Sequence, residues 1–241
     1  MKAKAARKHP LRATCRAWLD PPHPTWESRE SRNRAAEFVK QERLQSPRGI
    51  ILNLGSGARR FGHKTLNLDL FSAEGVDIQA DVLRLPLKDE SVEAIVCTGV
   101  LEHVCDPRQA VQEMCRVLKP GGRSYLEVPF MQTFHASPGD YFRWTAAGLQ
   151  QLLRPLCIIE SQVTAGPASA LAWVFQETMA MLFSLRSDLL YRIGLRVFGY
   201  LALPLSWLDI ALEGHPLARQ AASGFSVLTV KSPGGAKQEL N

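Results

Sequence analysis

Four short loops carry side chains suited to gripping an adenosine. The apolar run Ile50–Leu54 stops at Gly55-Ser56-Gly57, where missing side chains let the backbone come close to a ligand. Leu66-Asn67-Leu68 closes on Asp69, and a carboxylate there can accept both hydroxyl hydrogens of a ribose. Asp81 precedes Val82 and Leu83, an acid for an exocyclic amine beside an apolar pair that would flank a base. Thr98-Gly99-Val100-Leu101-Glu102-His103 opens on a further close-approach glycine. Singly each signal is weak, because a lone G-x-G is more often a turn and a lone Asp more often a cap. Their order, each at the end of an apolar run, joins them into one pocket.

Such a pocket needs a scaffold that presents one end of successive strands. In an open α/β sheet, ligands sit beyond the carboxyl ends of the strands at the switch point. Strands are expected at Ile50–Leu54, Thr65–Leu70, Val76–Ala80, Val92–Cys97, Arg123–Val128, Cys157–Val163 and Phe225–Lys231. Between them, Ala35, Phe38 and Val39 mark a short helix from Ser31 to about Leu44. The clearest helix starts at the Asp106 cap with Pro107 in first position, presents Ala110, Val111, Met114, Val117 and Leu118 on one face, and ends at Pro120-Gly121-Gly122. Another starts at the Thr145 cap and offers Leu149, Leu152 and Leu153 to a core. Strands alternating with helices predict a mostly parallel sheet covered on both faces.

Two nucleotide folds are excluded. A dinucleotide fingerprint wants a third glycine where Arg60 stands, and no G-x-x-x-x-G-K-[ST] exists for a P-loop. The chain from 50 to 128 instead resembles the class I S-adenosylmethionine-dependent methyltransferases, especially the "type 11" group. The blocks that carry the likeness are Leu52-Asn53-Leu54-Gly55-Ser56-Gly57, Leu66-Asn67-Leu68-Asp69, Asp81 with Leu85-Pro86-Leu87, Val100-Leu101-Glu102-His103-Val104 and Arg116-Val117-Leu118-Lys119-Pro120-Gly121-Gly122. One departure is Arg59, which stands where a G-x-G-x-G loop would place its last glycine. The resemblance implies a Rossmann-like α/β sheet whose last strand inserts antiparallel at the edge. It also implies S-adenosyl-L-methionine as cofactor, held by Asn53, Gly55, Ser56, Gly57, Asp69, Leu70, Asp81, Val82, Thr98, Gly99, Leu101 and His103.

The chemistry expected is in-line displacement of a sulfonium methyl, in which alignment matters most and can contribute roughly 7–11 kcal/mol. No covalent enzyme nucleophile is needed, and a hydroxyl acceptor would gain from a general base. The loop after the fifth strand, His135-Ala136-Ser137-Pro138-Gly139-Asp140-Tyr141-Phe142-Arg143-Trp144-Thr145, resembles a block recurring in bacterial members of the group. His135 is the candidate base, with Asp140 and Arg143 orienting it or binding an acceptor. The competing reading makes Asp140 and Arg143 a structural ion pair. His103 is a rival base. No metal site is expected.

Composition bounds the remainder. The chain has 241 residues, is 46% hydrophobic and 22% charged, and so reads as one globular domain with elaborations. Five cysteines without a C-x-x-C pair argue against a zinc ribbon or disulfide scaffold and for a reducing cytoplasm. The net charge of +6 is matched by Lys2, Lys4, Arg7, Lys8, Arg12 and Arg16, all before the first acid. On this reading the chain divides into a basic tail (1–27), a cofactor-binding domain (28–163 with 225–232) and an apolar helical insertion (164–224).

Segments 168–185 and 189–203 of the insertion are apolar nearly all round, with Pro204 expected to break the second. The uncharged stretch Val197–Leu208 is too short to span a bilayer, so no transmembrane segment is expected. Arg192 and Arg196 share a face, which suits a membrane-surface element, a cap or a dimer surface. The acceptor expected is a small molecule, a sugar or a lipid-linked glycan, methylated on oxygen, in a cytoplasmic or membrane-peripheral enzyme. Two alternatives are an RNA methyltransferase using the basic tail and a non-catalytic cofactor-binding membrane-associated protein. The lack of basic–aromatic interleaving outside the tail argues against nucleic acid.

Overall fold

The computed structural model describes residues 29–62 and 65–232; the basic tail expected at 1–27 lies outside them. The chain runs α1 (Arg29–Gln45), β1 (Ile51–Leu54), β2 (Thr65–Asp69), β3 (Ile78–Gln79), β4 (Val92–Thr98), α2 (Pro107–Val117), β5 (Leu118–Pro129) and α3 (Ala146–Leu152). There follow β6 (Cys157–Ala165), α4 (Pro167–Phe183), α5 (Asp188–Ser206), α6 (Asp209–Leu212) and β7 (Gly224–Val230). The strands form one sheet in the order β3-β2-β1-β4-β5-β7-β6.

The pairs of β1 with β2 and β4, β2 with β3, and β4 with β5 are parallel. β7 is antiparallel to both neighbours, and it lies between β5 and β6 rather than at the edge. The chain order therefore reverses beside β1, which puts the switch point and its crevice over the ends of β1 and β4.

Alternation along the central strands explains how both faces are filled. Leu52, Leu54, Ile95, Cys97 and Leu126 face a core shared with Val111, Met114 and Val117 of α2 and Leu149 and Leu152 of α3. Their neighbours Ile51, Ala94, Val96 and Tyr125 face Ala35, Phe38 and Val39 of α1. A period of two on strands and 3.6 on helices is enough to build both layers. The caps form as the residue types require: the Asp106 side chain accepts from Gln109 N at 3.1 Å, and Thr145 Oγ1 accepts from Gly148 N at 3.1 Å.

Three further expectations change. Pro120-Gly121-Gly122 does not end α2, which stops at Val117; it lies within β5, where Gly121 takes φ +78° and the pairing with β4 shifts register. Pro204 does not break α5, because it falls in the last turn and the helix runs on only to Ser206. The helical stretch Asp188–Leu212 is long and apolar enough, by length and composition alone, to cross a membrane. The uncharged run understated it because helix continues through the arginines on either side of Gly194.

Candidate functional site

The glycine turn after β1 is built to stay thin. Gly55 has φ +59°, and a Cβ there would meet Val100 Cγ2 at 2.3 Å. Gly57 has φ +48° with nothing within 4 Å of where its Cβ would be, so its missing side chain leaves space open. Ser56 N donates to Leu68 O (3.0 Å), and Gly57 N donates to Asp69 Oδ2 (2.7 Å), which ties the turn to β2. Asp69 Oδ1 accepts from Phe71 N at 2.9 Å. Each carboxylate oxygen keeps a second lone pair for a ligand hydroxyl. Asp81 Oδ1 accepts from Leu83 N (2.9 Å), which aims the acid and leaves Oδ2 for a donor.

These groups edge one cavity of about 330 Å³ at the carboxyl ends of the strands. Of the candidate cofactor residues, Gly55, Gly57, Asp69, Leu70, Asp81, Val82, Gly99 and His103 line it. Phe71, Leu83, Val104, Cys105 and Tyr141 are also part of the wall. Larger hollows exist beside α1 and beside Asp209, but neither gathers a glycine turn and two strand-end carboxylates.

Four expected ligand residues do not reach this cavity. Asn53 is buried in β1 and spends its amide on Arg59 O (3.1 Å) and Asn67 Oδ1 (3.0 Å), so it shapes the turn from beneath. The Ser56 side chain is buried, and Leu101 is part of the core. Thr98 Oγ1 accepts from Arg59 Nη1 at 3.0 Å. That arginine, in the place of a glycine, reaches across the sheet end toward Glu127 Oε2 (3.7 Å) with its guanidinium over Phe61. It closes the far side of the turn instead of opening it.

A second, smaller cavity of about 260 Å³ adjoins the first. Glu102, His103, Glu127, Gln132, His135 and Thr164 line it, and Gly99 and His103 belong to both hollows. His135 faces it. Its Nδ1 lies 2.9 Å from Thr133 O and its ring stacks on Trp173 of α4, with centroids 5.7 Å apart. Glu102 beside it raises the imidazole pKa, against the opposing effect of burial.

Asp140 and Arg143 do not face the cavity with free groups. Asp140 accepts from Arg143 Nη2 (2.7 Å) and from His135 N (2.8 Å), while Arg143 also donates to the carbonyls of Gln132, Thr133 and Phe142. Both are consumed in folding the loop around His135, which makes them positioning residues. The Arg143 guanidinium holds the Asp140 carboxyl well below the usual carboxylate range. Burial pushes the Cys97 thiol up, so the one cysteine of β4 is kept protonated and is no nucleophile.

Glu102, Glu127 and Trp173 were not assigned as site residues from sequence. The Glu-His pair at 102–103 was a usable signal for the first. Glu127 is one strand residue among many, and Trp173 comes from a segment with no motif.

Fold and site together resemble those of class I S-adenosylmethionine-dependent methyltransferase domains. The residues present fit the cofactor: a cradle that a Cβ would fill at Gly57, and two acids spaced along adjacent strand ends. Residues 58–126 match the family model described as a methyltransferase domain.

Among relatives, a probable S-adenosylmethionine-dependent methyltransferase of Mycolicibacterium smegmatis is 45% identical over 65 residues, 27% of this chain and 24% of that one. A demethylmenaquinone methyltransferase of Paenarthrobacter aurescens is 31% identical over 120 residues, 44% of this chain and 42% of that one. The chain thus spans less than half the length of these relatives. Among solved structures, the [4+2]-cyclase SpnF superposes with TM-score 0.53 at 16% identity, over 88% of this chain and 87% of that one. The YcgJ protein of Bacillus subtilis does so with TM-score 0.50 at 15% identity, over 84% of this chain and all of that one. At such identities these two share the fold.

Proposed function

We propose that the protein transfers a methyl group from S-adenosylmethionine to an oxygen of a hydroxylated small molecule, sugar or lipid-linked glycan. The observation that carries this reading is that two cavities meet at Gly99 and His103. One has the acids and glycines for the donor, and the other has polar side chains for an acceptor. The bound cofactor supplies an electrophilic methyl on a sulfonium. Asp69 grips the ribose and Asp81 the base edge, with Leu70, Val82 and Leu83 as its apolar flank. Gly99, lacking a side chain, lets the acceptor come within line of the methyl. Gln132 and Thr164 orient the acceptor, and the Arg143–Asp140 pair keeps the His135 loop shut against water. Alignment of this kind is the main source of rate in such a displacement.

The pair α4–α5 extends the reading to a partner. The two helices meet through small residues: a Cβ on Gly194 would lie 3.0 Å from the Cα of the fully buried Ala180. Large apolar side chains such as Leu182, Leu185, Leu189 and Leu201 point outward, with Arg186 and Arg192 exposed beside them. An apolar face edged by arginines suits an anionic lipid surface, which would deliver a lipid-linked acceptor to the cavity beneath Trp173. The curated relatives include demethylmenaquinone methyltransferases, whose names also point to apolar acceptors.

The test is a methyl-donor assay against a cell extract fractionated into lipid, glycan, small-molecule and RNA pools. Label in the lipid or glycan pool supports the reading. Label confined to RNA, lost on deleting residues 1–24, replaces it with nucleic-acid methylation.

A further inference from the structure

We propose that Glu102, His103 and His135 form a binding site for one divalent first-row transition-metal ion. The starting point is an unbalanced carboxylate. Glu102 lies on the turn Leu101–His103 after β4 and is 2% exposed, yet its Oε2 is buried with no hydrogen-bond partner. Its Oε1 has near it His103 Nε2 at 3.8 Å and His135 Nε2 at 3.9 Å, both too far for hydrogen bonds. A buried carboxylate without a bonded partner is costly, and a bound cation relieves that cost.

The two imidazoles are held as metal ligands usually are. His103 Nδ1 lies 2.6 Å from Gly139 O, and His135 Nδ1 lies 2.9 Å from Thr133 O. A carbonyl only accepts, so each Nδ1 carries a hydrogen, which leaves Nε2 as the nitrogen a metal ion would take. Arg143 Nη2 also approaches His135 Nδ1, at 3.2 Å, but a 2.9 Å contact between two acceptors would be repulsive, which decides the tautomer. Backbone carbonyls that fix the far nitrogen are the usual outer support of a ligating histidine. The rings stand at 85° to each other, and the three ligand atoms all lie within 4.8 Å of one another.

Metal–ligand bonds of about 2.0–2.2 Å in a tetrahedron would set those atoms about 3.4 Å apart. The 3.8 and 3.9 Å separations need to close by only a few tenths of an ångström. Two imidazole nitrogens and one carboxylate favour Zn²⁺, or Fe²⁺ or Mn²⁺ with open positions, over Mg²⁺ or Ca²⁺. The 260 Å³ cavity supplies the open side.

On the methyl-transfer reading, on which this role rests, an acceptor hydroxyl would occupy that open position. The ion would lower its pKa, as it does for bound water. Its proton would leave to solvent, its oxygen would form the new bond to the methyl carbon, and the carbon–sulfur bond would break to release neutral S-adenosylhomocysteine. With the ion bound, His135 is a ligand and not a base.

The full chain, stripped with chelator, is titrated with Co²⁺ and followed by its visible absorption, then competed with Zn²⁺. One equivalent should produce saturable bands. Glu102→Gln and His135→Gln should each weaken binding by more than the ~10–100-fold that outer-support changes cost, while His215→Gln should change nothing. No saturable signal from the unaltered protein overturns the proposal. So does a signal that survives both site variants, with folding verified by their melting curves. Asp69→Ala separates the two ideas: it should abolish donor binding and leave the Co²⁺ bands intact. In the unaltered protein, donor binding without Co²⁺ binding would sink this inference alone, and Co²⁺ binding without donor binding would sink the methyl-transfer reading alone.

Discussion

The carboxyl end of the sheet and the helical pair α4–α5 solve opposite problems. At the sheet end, polar side chains are pinned by short bonds: Asp69 to Gly57 and Phe71, Asp81 to Leu83, Asp140 to Arg143 and His135. Geometry there is set before any ligand arrives, which is what a positioning enzyme needs. In the helical pair the small residues are inside and the large apolar ones outside. Leu185 is 81% exposed and Leu189 68%. Gly194 and Ala180 let the two backbones approach closely, while those side chains lie on the outer surface. One region is finished, and the other is a surface whose use depends on what it meets. Trp173 joins them, because it grows from α4 and stacks on His135.

Three variants would break or sharpen this contrast. The largest effect is expected from Asp69→Ala. It removes the proposed ribose acceptor and the partner of Gly57 N, and hydrogen bonds to a charged group contribute about 1.5–3 kcal/mol each. Affinity for S-adenosylhomocysteine in calorimetry should fall by about 100-fold or more. Near-normal affinity would detach Asp69 from the ribose role.

Asp140→Asn comes next. The carboxyl pKa is depressed in the fold by Arg143, so its contribution is complete above the unfolded value of about 3.9 and is lost as pH falls through the lower folded value. The variant should be about 1–3 kcal/mol less stable near neutrality. The gap to the parent should narrow in acid, below the unfolded value, as read from melting temperature against pH. A constant gap would deny the ion pair its part.

The smallest effect on stability is expected at the helical pair. Leu185→Gln with Leu189→Gln should shift stability within about 0.5 kcal/mol and leave donor binding unchanged. Flotation with anionic vesicles should nevertheless drop. Unchanged flotation, or loss of a dimer instead, would show that the face serves another purpose.

What could be read from sequence follows the same divide. That Gly55, Gly57, Asp69 and Asp81 share one cavity was legible because a glycine turn and strand-end acids mark the carboxyl edge of such a sheet. The Asp106 and Thr145 caps were legible because a cap has a short chemical grammar. The direction of Asn53 was not legible: a strand buried on both faces turns its side chain toward Asn67 and away from the cavity. The place of β7 between β5 and β6 is a matter of long-range pairing that no local pattern encodes. His103 is next to Glu102 in the chain, but His135 comes from the loop after β5, so the convergence of the three appears only once the sheet has gathered them. The helical pair gave composition without position, since helices apolar all round do not announce which face is inward.

The most direct test of the central claim is a crystal structure with S-adenosylhomocysteine. The ribose hydroxyls should lie on Asp69 and the base edge on Asp81, with the sulfur at Gly99 facing the cavity of Glu102 and His135. A ligand seated instead in the hollow beside α1 or beside Asp209, with Asp69 untouched, would contradict the account.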